Sequence, residues 1–333
     1  MNNLAVFSGD SNKKLAQDIC KHIGINLSSS FISHFPDGET CVKIEEVVRG
    51  KNCFIIQPTS PPVDNNLMEL LVFIDCLKRA SAKRITVVMP YFGYARQDRK
   101  DAGRVPITAK LVANLITSAG ADSVLTMDLH SKQIEGFFDI TVDHLSAFPA
   151  FVEYYRKQDL TNTVVLSPDV GNMKMAGAYA QELNLGIAVI DKRRKNGEEV
   201  VSANIVGDVK GKNVLMADDM ISTAGTIASA ATFAKKKGAL SVQLCATHGL
   251  FCGGAIDKLM NSGIDKIIVS DTVPLTKRIL QNIETYSLSQ KNTDIWPEIA
   301  VVSVAKLLGE AIVRIYDNRS VSILLKSDYE TGM

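Results

Sequence analysis

Two acidic residues stand directly before a run of small and hydroxyl residues in the segment Val214–Thr226. The apolar residues Val214–Ala217 predict a strand, and Asp218 and Asp219 follow it. A short loop then leads into a predicted helix through Ser222, Thr223, Ala224, Gly225 and Thr226. Backbone N–H groups and hydroxyls at such a helix start hold a phosphate, glycine lets the backbone approach closely, and carboxylates accept hydrogen bonds from a neighbouring diol. A phosphate beside a diol describes a ribose 5-phosphate. The alternative is a strand end followed by ordinary Ser/Thr helix caps.

Two other segments gather cations near predicted strand ends. Tyr91–Lys100 combines aromatic rings with Arg96, Gln97 and Asp98, so a base could pack on the rings while phosphates face the cations. Four consecutive cations follow the predicted strand Ile187–Ile190, namely Lys192, Arg193, Arg194 and Lys195. Taken alone, each run is also typical of a solvated charged loop.

Three shorter motifs carry less information by themselves. The string from Phe35 through Asp37 to Glu39 contains Pro-Asp-Gly, an ordinary turn sequence. Asp169 follows a proline in another turn, and His130 comes just after a predicted strand. A single histidine is more often structural than a ligand, and magnesium favours oxygen ligands over imidazole.

Together these segments resemble the ribose-phosphate diphosphokinase (phosphoribosyl pyrophosphate synthetase) family. The similarity extends from Phe7 to Ser322, which is nearly the whole chain. Val214–Thr226 alone is also similar to the loop of type I phosphoribosyltransferases. Enzymes that only consume phosphoribosyl pyrophosphate do not combine the four-cation segment with the Arg96-Gln97 and Asp128-Leu129-His130 segments.

The resemblance implies a role for each matching residue. ATP would be bound by Arg96, Gln97, Asp98 and His130, and by Phe35, Asp37 and Glu39 of a neighbouring subunit. Ribose 5-phosphate would be bound by Asp218, Asp219, Ser222, Thr223, Ala224, Gly225 and Thr226. The catalytic cations would be Lys192 and Arg194, and the residues at the metal would be His130 and Asp169. A regulatory region for phosphate or ADP would include Arg49, Ser81 and Arg104.

The reaction implied by the resemblance is ATP + ribose 5-phosphate → AMP + phosphoribosyl pyrophosphate, with Mg²⁺ as the cofactor. The C1 hydroxyl would attack the β-phosphorus in line, in a reaction that gains mostly from positioning and charge neutralisation. The family also implies a cytoplasmic homo-oligomer, a hexamer by expectation, with the ATP site shared between subunits. Its product feeds purine, pyrimidine, NAD, histidine and tryptophan synthesis.

Two alternative functions stay open. One is a phosphoribosyltransferase that uses phosphoribosyl pyrophosphate with a base, and the other is a non-catalytic regulatory subunit of a synthetase. Three positions depart from the family pattern: Ser222 stands where many members have aspartate, Asn172 replaces the second glycine after Asp169, and Met175 stands where many members have arginine. Lys174 lies beside that last position.

A sheet must position these residues, because most of them follow predicted strands. Nine β-rich runs alternate with helical stretches such as Asn66–Arg79 and Thr226–Lys237, which predicts an α/β fold with mainly parallel sheets flanked by helices. Three glycines between a helical run and a strand predict left-handed helix ends: Gly120, Gly238 and Gly263. The predicted strands are Leu4–Phe7, Cys53–Gln57, Ile85–Met89, Val124–Met127, Val164–Leu166, Ile187–Ile190, Val214–Ala217, Val242–Ala246 and Ile267–Val269.

An internal repeat suggests how the chain is divided. Gly50-Lys51-Asn52-Cys53 and Gly211-Lys212-Asn213-Val214 open the same series of elements 161 residues apart. We therefore predict two tandem domains of the type I phosphoribosyltransferase kind. Residues 1–147 would carry the ATP and regulatory loops, and residues 148–333 would carry the ribose 5-phosphate and catalytic loops. The tail of the second domain could pack back on the first.

Composition excludes several other classes of protein. With 333 residues, 46% hydrophobic and 22% charged, the chain has enough apolar material for two cores and is not a disordered protein. A net charge of +1 argues against a nucleic-acid binder. No apolar run approaches the roughly 18 residues of a membrane span, and no signal peptide is expected. The six cysteines contain no CxxC pair, which favours reduced thiols.

Overall fold

The computed structural model describes residues 3–195, 199–276, 279–281 and 297–324, and for 192–195 and 199–203 it describes only the backbone. The described residues form two compact units. Unit 1 comprises the described residues within 1–147, 272–274 and 303–326. Unit 2 comprises those within 148–271 and 275–302.

The strands follow one another in chain order as β1 (Leu4–Ser8), β2 (Ser30–His34), β3 (Thr40–Ile44), β4 (Asn52–Ile56), β5 (Arg84–Met89), β6 (Ser123–Met127), β7 (Thr141–Leu145), β8 (Thr163–Ser167), β9 (Gly186–Lys195), β10 (Glu199–Val206), β11 (Asn213–Ile221), β12 (Ser241–Gly249), β13 (Lys266–Ser270) and β14 (Glu298–Val302). The helices are α1 (Lys13–Ile23), α2 (Val63–Arg79), α3 (Thr108–Ala119), α4 (Phe148–Tyr155), α5 (Met173–Glu182), α6 (Gly225–Lys236), α7 (Ala255–Met260) and α8 (Ala305–Tyr316). Short 3₁₀ helices span Lys132–Phe137 and Ser322–Leu324.

Unit 1 is built on a five-stranded parallel sheet in the order β1-β4-β5-β6-β7. The strands β1, β4, β5 and β6 are almost wholly buried because apolar residues predominate in them, as in the Cys53–Ile56 part of β4. This is the pattern of a sheet covered on both faces. An antiparallel hairpin, β2–β3, forms a separate two-stranded sheet. Helix α8 packs against α1, so this C-terminal helix belongs to unit 1.

Unit 2 contains a seven-stranded sheet in the order β10-β9-β8-β11-β12-β13-β14. Every neighbouring pair is parallel except β9–β10, which is antiparallel. The order β8-β11-β12-β13-β14 repeats that of the first sheet, with the antiparallel hairpin in each unit following the first strand along the chain. The core of unit 2 is rich in alanine on α6, where Ala230, Ala231 and Ala234 let the helix lie close to the sheet.

The α/β prediction with mainly parallel sheets is confirmed, and all nine predicted strands are present. Five further strands were not predicted from the sequence: β2, β3, β7, β10 and β14. Those among them whose burial is described are mostly partly exposed, and β2, β3 and β7 contain polar residues, as in Thr141–Leu145, so these three lack a continuous apolar run. The helix-ending glycines adopt positive φ as predicted: 118° at Gly120, 92° at Gly238 and 78° at Gly263. Within the described part of the chain, no helix is both long and apolar enough to span a membrane.

Candidate functional site

Asp218 and Asp219 lie inside strand β11 rather than after its end. β11 pairs with β8 only over its first residues, from Asn213 to Leu215, but its ladder with β12 continues to Ile221. The neighbouring strand keeps supplying hydrogen-bond partners past the two acids, so the extended backbone persists. The prediction that the strand stops before the acids is therefore wrong. Both carboxyl groups are partly buried where the sheet leads into α6.

The surroundings of Asp218 oppose its ionisation. Burial, reinforced by the negative charges of Asp219 and Asp169, raises the pKa of Asp218 to about 7. The backbone N–H of Asp219 donates to Asp218 Oδ1 at 2.9 Å, which offsets part of that effect. A carboxyl group in this state can donate as well as accept a hydrogen bond near neutral pH. It is thus suited to a ligand with hydroxyl groups.

Asn172 joins the turn that contains Asp169 to strand β11. Its backbone N–H donates to Asp169 Oδ1 at 3.0 Å, and its Nδ2 donates to the carbonyl of Ala217 at 3.0 Å and to Asp218 Oδ1 at 3.5 Å. Its Oδ1 is buried without a hydrogen-bond partner among the described residues. Unit 2 thereby gathers Asp169, Asn172 and Asp218. Sequence analysis noted Asn172 only as a departure from a family glycine, because its reach to β11 becomes visible only in the fold.

The loop after β11 presents hydroxyl groups at the start of α6. Thr223 and Thr226 are exposed, and no atom lies within 4 Å of the place where a side chain on Gly225 would begin. A backbone hydrogen bond fixes the loop, since the Cys252 N–H donates to the Ser222 carbonyl at 2.9 Å. The exposed hydroxyls at this helix start are therefore placed where an anion could bind, and the phosphate role of the loop stays a prediction. The positive φ of this turn, 58°, falls on Ala224 and not on the glycine.

Ala224→Gly should raise the free energy of unfolding by about 1 kcal/mol, because glycine adopts the left-handed conformation without the steric penalty that a Cβ incurs. Urea denaturation followed by circular dichroism measures this difference. The matched control is Ala228→Gly inside α6, which should lower the same quantity by about 1 kcal/mol. If both glycine variants lose stability, the backbone of Ala224 is not strained.

The predicted ATP segment of unit 1 is a loop between β5 and α3 that is anchored at several points. The Gln97 N–H donates to the Tyr94 carbonyl at 2.9 Å, and Gln133 Nε2 donates to Asp98 Oδ2 at 2.7 Å. The Tyr94 hydroxyl bonds to the carboxylate of Asp64 on α2. Arg96 and Gln97 are exposed between these anchors. A cation and an amide on a fixed loop suit phosphate and base recognition.

The turn from Phe35 to Glu39 closes the β2–β3 hairpin. The Phe35 N–H donates to the Glu39 carbonyl and the Gly38 N–H donates to the Phe35 carbonyl, both at 2.8 Å. The Asp37 carboxylate accepts the Glu39 N–H at 3.1 Å, and φ is 96° at Gly38. The ring of Phe35 is 54% exposed. An exposed ring beside two carboxylates is available to a ligand or to a second copy of the chain.

His130 is exposed just after β6, on a turn supported by a second histidine. The Leu129 N–H donates to His144 Nε2 at 2.9 Å, so the proton of this ring lies on Nδ1 and is donated to Glu135 Oε1 at 2.6 Å. Asp128 Oδ2 accepts the Ala147 N–H at 2.9 Å. Sequence analysis missed His144 and Glu135, because nothing in their spacing indicates that they meet beneath this turn.

Lys192 and Arg194, the predicted catalytic cations, belong to strand β9. The prediction of a loop at these positions is wrong, because β9 continues to Lys195 by antiparallel pairing with β10. In this register Lys192 lies opposite Ala203 and Arg194 opposite Val200. The three residues that connect the two strands, 196–198, lie outside the described residues.

The three predicted regulatory residues fall in two places within unit 1. Arg49 and Ser81 are brought near each other, since the N–H of Gly50 donates to the Ser81 carbonyl at 3.0 Å. Arg104 lies in the loop that precedes α3 and is exposed, as is Arg49. Ser81 and Arg104 both have positive φ, 63° and 62°.

The donor set partly fits magnesium. Among the described residues no three His, Cys, Asp or Glu side chains cluster as a preformed metal site. Magnesium commonly takes one or two carboxylates and completes its shell with water and substrate phosphates. Asp169 supplies such an oxygen donor beside Asp218. The imidazole of His130 is the less suitable partner by its chemistry.

Comparisons with known proteins agree with one another. The profile of the N-terminal domain of ribose phosphate pyrophosphokinase matches residues 4–120, and the profile of the phosphoribosyl synthetase-associated domain matches residues 199–326. A protein named ribose-phosphate pyrophosphokinase from Rhodopirellula baltica is 50% identical over 98% of this chain and 99% of its own length. One of the same name from Caldanaerobacter subterraneus is 48% identical over 97% of this chain and 98% of its own length.

A solved structure extends the similarity to the fold. The crystal structure of phosphoribosylpyrophosphate synthetase from Mycobacterium smegmatis superposes with a TM-score of 0.84 at 38% identity. The alignment covers 95% of this chain and 99% of that one. Sequence and fold therefore match one family over almost the full chain.

Proposed function

The chain belongs to the ribose-phosphate pyrophosphokinase family, and we propose that it transfers the β,γ-diphosphoryl group of ATP to the C1 hydroxyl of ribose 5-phosphate. The products are phosphoribosyl pyrophosphate and AMP. The observation that carries the ribose 5-phosphate part is the arrangement in unit 2, where two carboxyl groups on β11 precede an open, hydroxyl-bearing helix start. The two carboxyl groups suit a sugar diol, and the helix start suits a phosphate.

The ribose diol would donate hydrogen bonds to Asp218 and Asp219. The 5-phosphate would accept hydrogen bonds from the hydroxyls of Ser222, Thr223 and Thr226 and from the backbone of this loop, including Ala224 and the exposed Gly225. Asn172 keeps Oδ1 of Asp218 engaged on one side.

ATP would be bound by unit 1. Arg96 would pair with phosphate oxygens, Gln97 and Asp98 would hold the polar edges of the nucleotide, and His130 would lie at the phosphates. The exposed hairpin turn with Phe35, Asp37 and Glu39 would reach the base from a neighbouring subunit. This arrangement requires a homo-oligomer, which we propose to be a hexamer.

Mg²⁺ would be held by Asp169 and by His130, together with substrate oxygens, and when bound it neutralises phosphate charge. The chain's own contribution to the transfer comes from Lys192 and Arg194. Their cationic groups would close over the transferring diphosphoryl group and stabilise the charge that develops on its oxygens. The C1 hydroxyl, held by the ribose contacts, attacks the β-phosphorus in line as AMP leaves.

Regulation and location complete the proposal. Phosphate or ADP would act at a region that contains Arg49, Ser81 and Arg104, each on an exposed or partly exposed surface of unit 1. The enzyme would work in the cytoplasm, where its six free thiols remain reduced. Neither nucleic acid nor a membrane is proposed as a partner.

One assay separates this function from the alternatives. Purified protein is incubated with ATP, Mg²⁺ and ribose 5-phosphate, with and without inorganic phosphate, and AMP is measured by chromatography. AMP formed in equal amount with phosphoribosyl pyrophosphate supports the proposal. A phosphoribosyltransferase would instead consume added phosphoribosyl pyrophosphate only with a base, and a regulatory subunit would form no AMP under any of these conditions.

A further inference from the structure

Unit 1 contains a loop at the position that the ribose 5-phosphate loop occupies in unit 2. In unit 2 the loop connects β11 to α6, and β11 lies between β8 and β12. In unit 1 residues 57–62 connect β4 to α2, and β4 lies between β1 and β5. We call residues 57–62 the unit 1 loop. The two loops therefore occupy the same place in a repeated topology.

The two loops differ in what surrounds them. Thr223 and Thr226 of unit 2 are exposed, whereas Gln57, Thr59 and Ser60 of the unit 1 loop are 0%, 1% and 2% exposed. Buried polar groups need internal hydrogen-bond partners. Gln57 Nε2 donates to Glu69 Oε1 at 2.8 Å, and Asn66 Nδ2 donates to the Ser60 carbonyl at 2.7 Å. The buried polar groups of the unit 1 loop are thus satisfied within the protein and do not face a substrate phosphate.

Thr59 directs its hydrogen bonds to the start of the ATP segment, Tyr91–Lys100. Its backbone N–H donates to the Tyr91 carbonyl at 2.9 Å, and its hydroxyl can donate to the same carbonyl at 3.3 Å or to Met89 Sδ at 3.6 Å. The Thr59 Oγ1 accepts the Gly93 N–H at 2.7 Å. A Cβ on Gly93 would lie 2.7 Å from the Thr59 carbonyl oxygen, so the two backbones are in close contact.

Gly93 directly precedes the turn that presents the ATP-binding side chains. Tyr94 has a φ of 65°, and its carbonyl accepts the Gln97 N–H at 2.9 Å. Arg96 and Gln97 are therefore oriented by a turn whose first residue follows Gly93. A shift of Gly93 would therefore move the residue at which this turn begins.

We infer that Thr59 is a positioning residue for ATP, and that the unit 1 loop fixes the ATP segment instead of binding a phosphate of its own. This inference rests on the proposed function, since it takes Arg96 and Gln97 as ATP-binding residues. Thr59 itself is buried, so its side chain has almost no surface for contact with a substrate. Its effect should consequently appear in ATP binding and not in ribose 5-phosphate binding.

The test replaces Thr59 by valine, which keeps the shape but leaves the buried Gly93 N–H without its acceptor. We expect the KM for ATP to rise about tenfold, the size of effect typical of an unsatisfied buried donor, while the KM for ribose 5-phosphate stays within about twofold. Thr59→Ser retains the hydroxyl and should restore the KM for ATP to within about threefold. Calorimetric titration with ATP in the absence of ribose 5-phosphate should give the same ranking of affinities.

Thr86→Val is the matched control. Thr86 is also 1% exposed, but its hydroxyl bonds to Ser123 Oγ at 2.9 Å between β5 and β6, away from the ATP segment. This variant should lower the melting temperature without changing the KM for ATP. If Thr59→Val fails to fold, Thr59→Ala and Thr59→Ser are compared in its place.

Three outcomes overturn the inference. One is an unchanged KM for ATP in Thr59→Val, and another is a parallel rise in both KM values. In each of these the wild-type protein still forms AMP, so the proposed function stands and only the role of Thr59 is rejected. The third is a wild-type protein that forms no AMP, which rejects the function and the inference together.

Discussion

Replacing Lys192 by alanine should lower kcat by at least about 100-fold, the loss typical of removing one preorganised donor that stabilises developing charge. The charge of the transferring diphosphoryl group grows only in the transition state, so the KM values for both substrates should change much less. Steady-state assays of AMP formation at saturating ATP and ribose 5-phosphate measure this effect.

The fold should survive this substitution. Lys192 lies where β9 pairs with β10, beyond the Gly186–Val189 stretch that pairs with β8 in the middle of the sheet. Arg193→Ala is the matched control, because it removes the same charge one residue away at a position to which the family resemblance gives no catalytic role. We expect Arg193→Ala to keep kcat within about threefold of wild type, well above the Lys192 variant. Wild-type turnover in Lys192→Ala would reject the assignment of this residue.

Strand β9, which contains the predicted catalytic cations, shows why parts of the candidate site were predictable and others were not. Four consecutive cations contain no apolar alternation, and such a run is typical of a loop. The extended backbone of β9 depends on its pairing with β10, a strand that itself has no clear sequence pattern. Pairing between strands is non-local, so a window of neighbouring residues cannot reveal it. The chemical types at Lys192 and Arg194 were visible, but their secondary structure was not.

The same reasoning applies to the ribose 5-phosphate loop. The apolar run before Asp218 predicted a strand and the hydroxyl residues predicted a helix start, and both are present. The contact from Asn172 and the left-handed backbone of Ala224 carried no sequence pattern. Alanine is disfavoured in that conformation, so only tertiary structure can impose it. Local propensity thus predicted the strand and the helix of the candidate site, and packing between distant segments decided its details.

The repeated topology gives these observations a common explanation. In each unit an antiparallel hairpin follows the first strand along the chain, β2–β3 in unit 1 and β9–β10 in unit 2. One hairpin ends in the exposed ring of Phe35, and the other carries the predicted catalytic cations. In each unit the next strand, β4 or β11, leads into a loop that precedes a helix. The loop after β11 presents exposed hydroxyl groups, whereas the polar groups of the unit 1 loop are buried. Duplication followed by divergence would produce this division of roles.

Asp218→Asn should weaken the use of ribose 5-phosphate, lowering kcat/KM for that substrate by about 10- to 100-fold, because a hydrogen bond to a charged group contributes about 1.5–3 kcal/mol. The amide keeps Oδ1, so the contacts from Asn172 and from the Asp219 N–H are retained. The KM for ATP should change little. Assays at varied ribose 5-phosphate and saturating ATP measure the loss, and an unchanged kcat/KM would contradict the proposed diol contact.

The same substitution should stabilise the protein at neutral pH. An ordinary Asp has a pKa of 3.8, whereas burial and the neighbouring acids raise the pKa of Asp218 to about 7 in the folded state. Between these two values the unfolded chain binds fewer protons than the folded one, so the free energy of unfolding of wild type falls as pH rises from about 4 to about 7. Below pH 4 the carboxyl group of Asp218 is protonated in both states, so it no longer lowers the free energy of unfolding. Above pH 7 the full cost, up to about 4 kcal/mol, is present.

Urea denaturation without substrate or divalent cations at pH 4 and pH 8 therefore distinguishes the two proteins. We expect the free energy of unfolding of Asp218→Asn to exceed that of wild type by a few kcal/mol at pH 8 and to differ little from it at pH 4. Asp219→Asn provides the control. Removing the adjacent negative charge should lower the pKa of Asp218, so the decline of the free energy of unfolding with rising pH should end at a lower pH than in wild type. An equal difference at both pH values would show that Asp218 is not protonated by its surroundings. A gain in stability paired with a loss of ribose 5-phosphate use would show that the buried acid is kept for its substrate, since it stabilises nothing else.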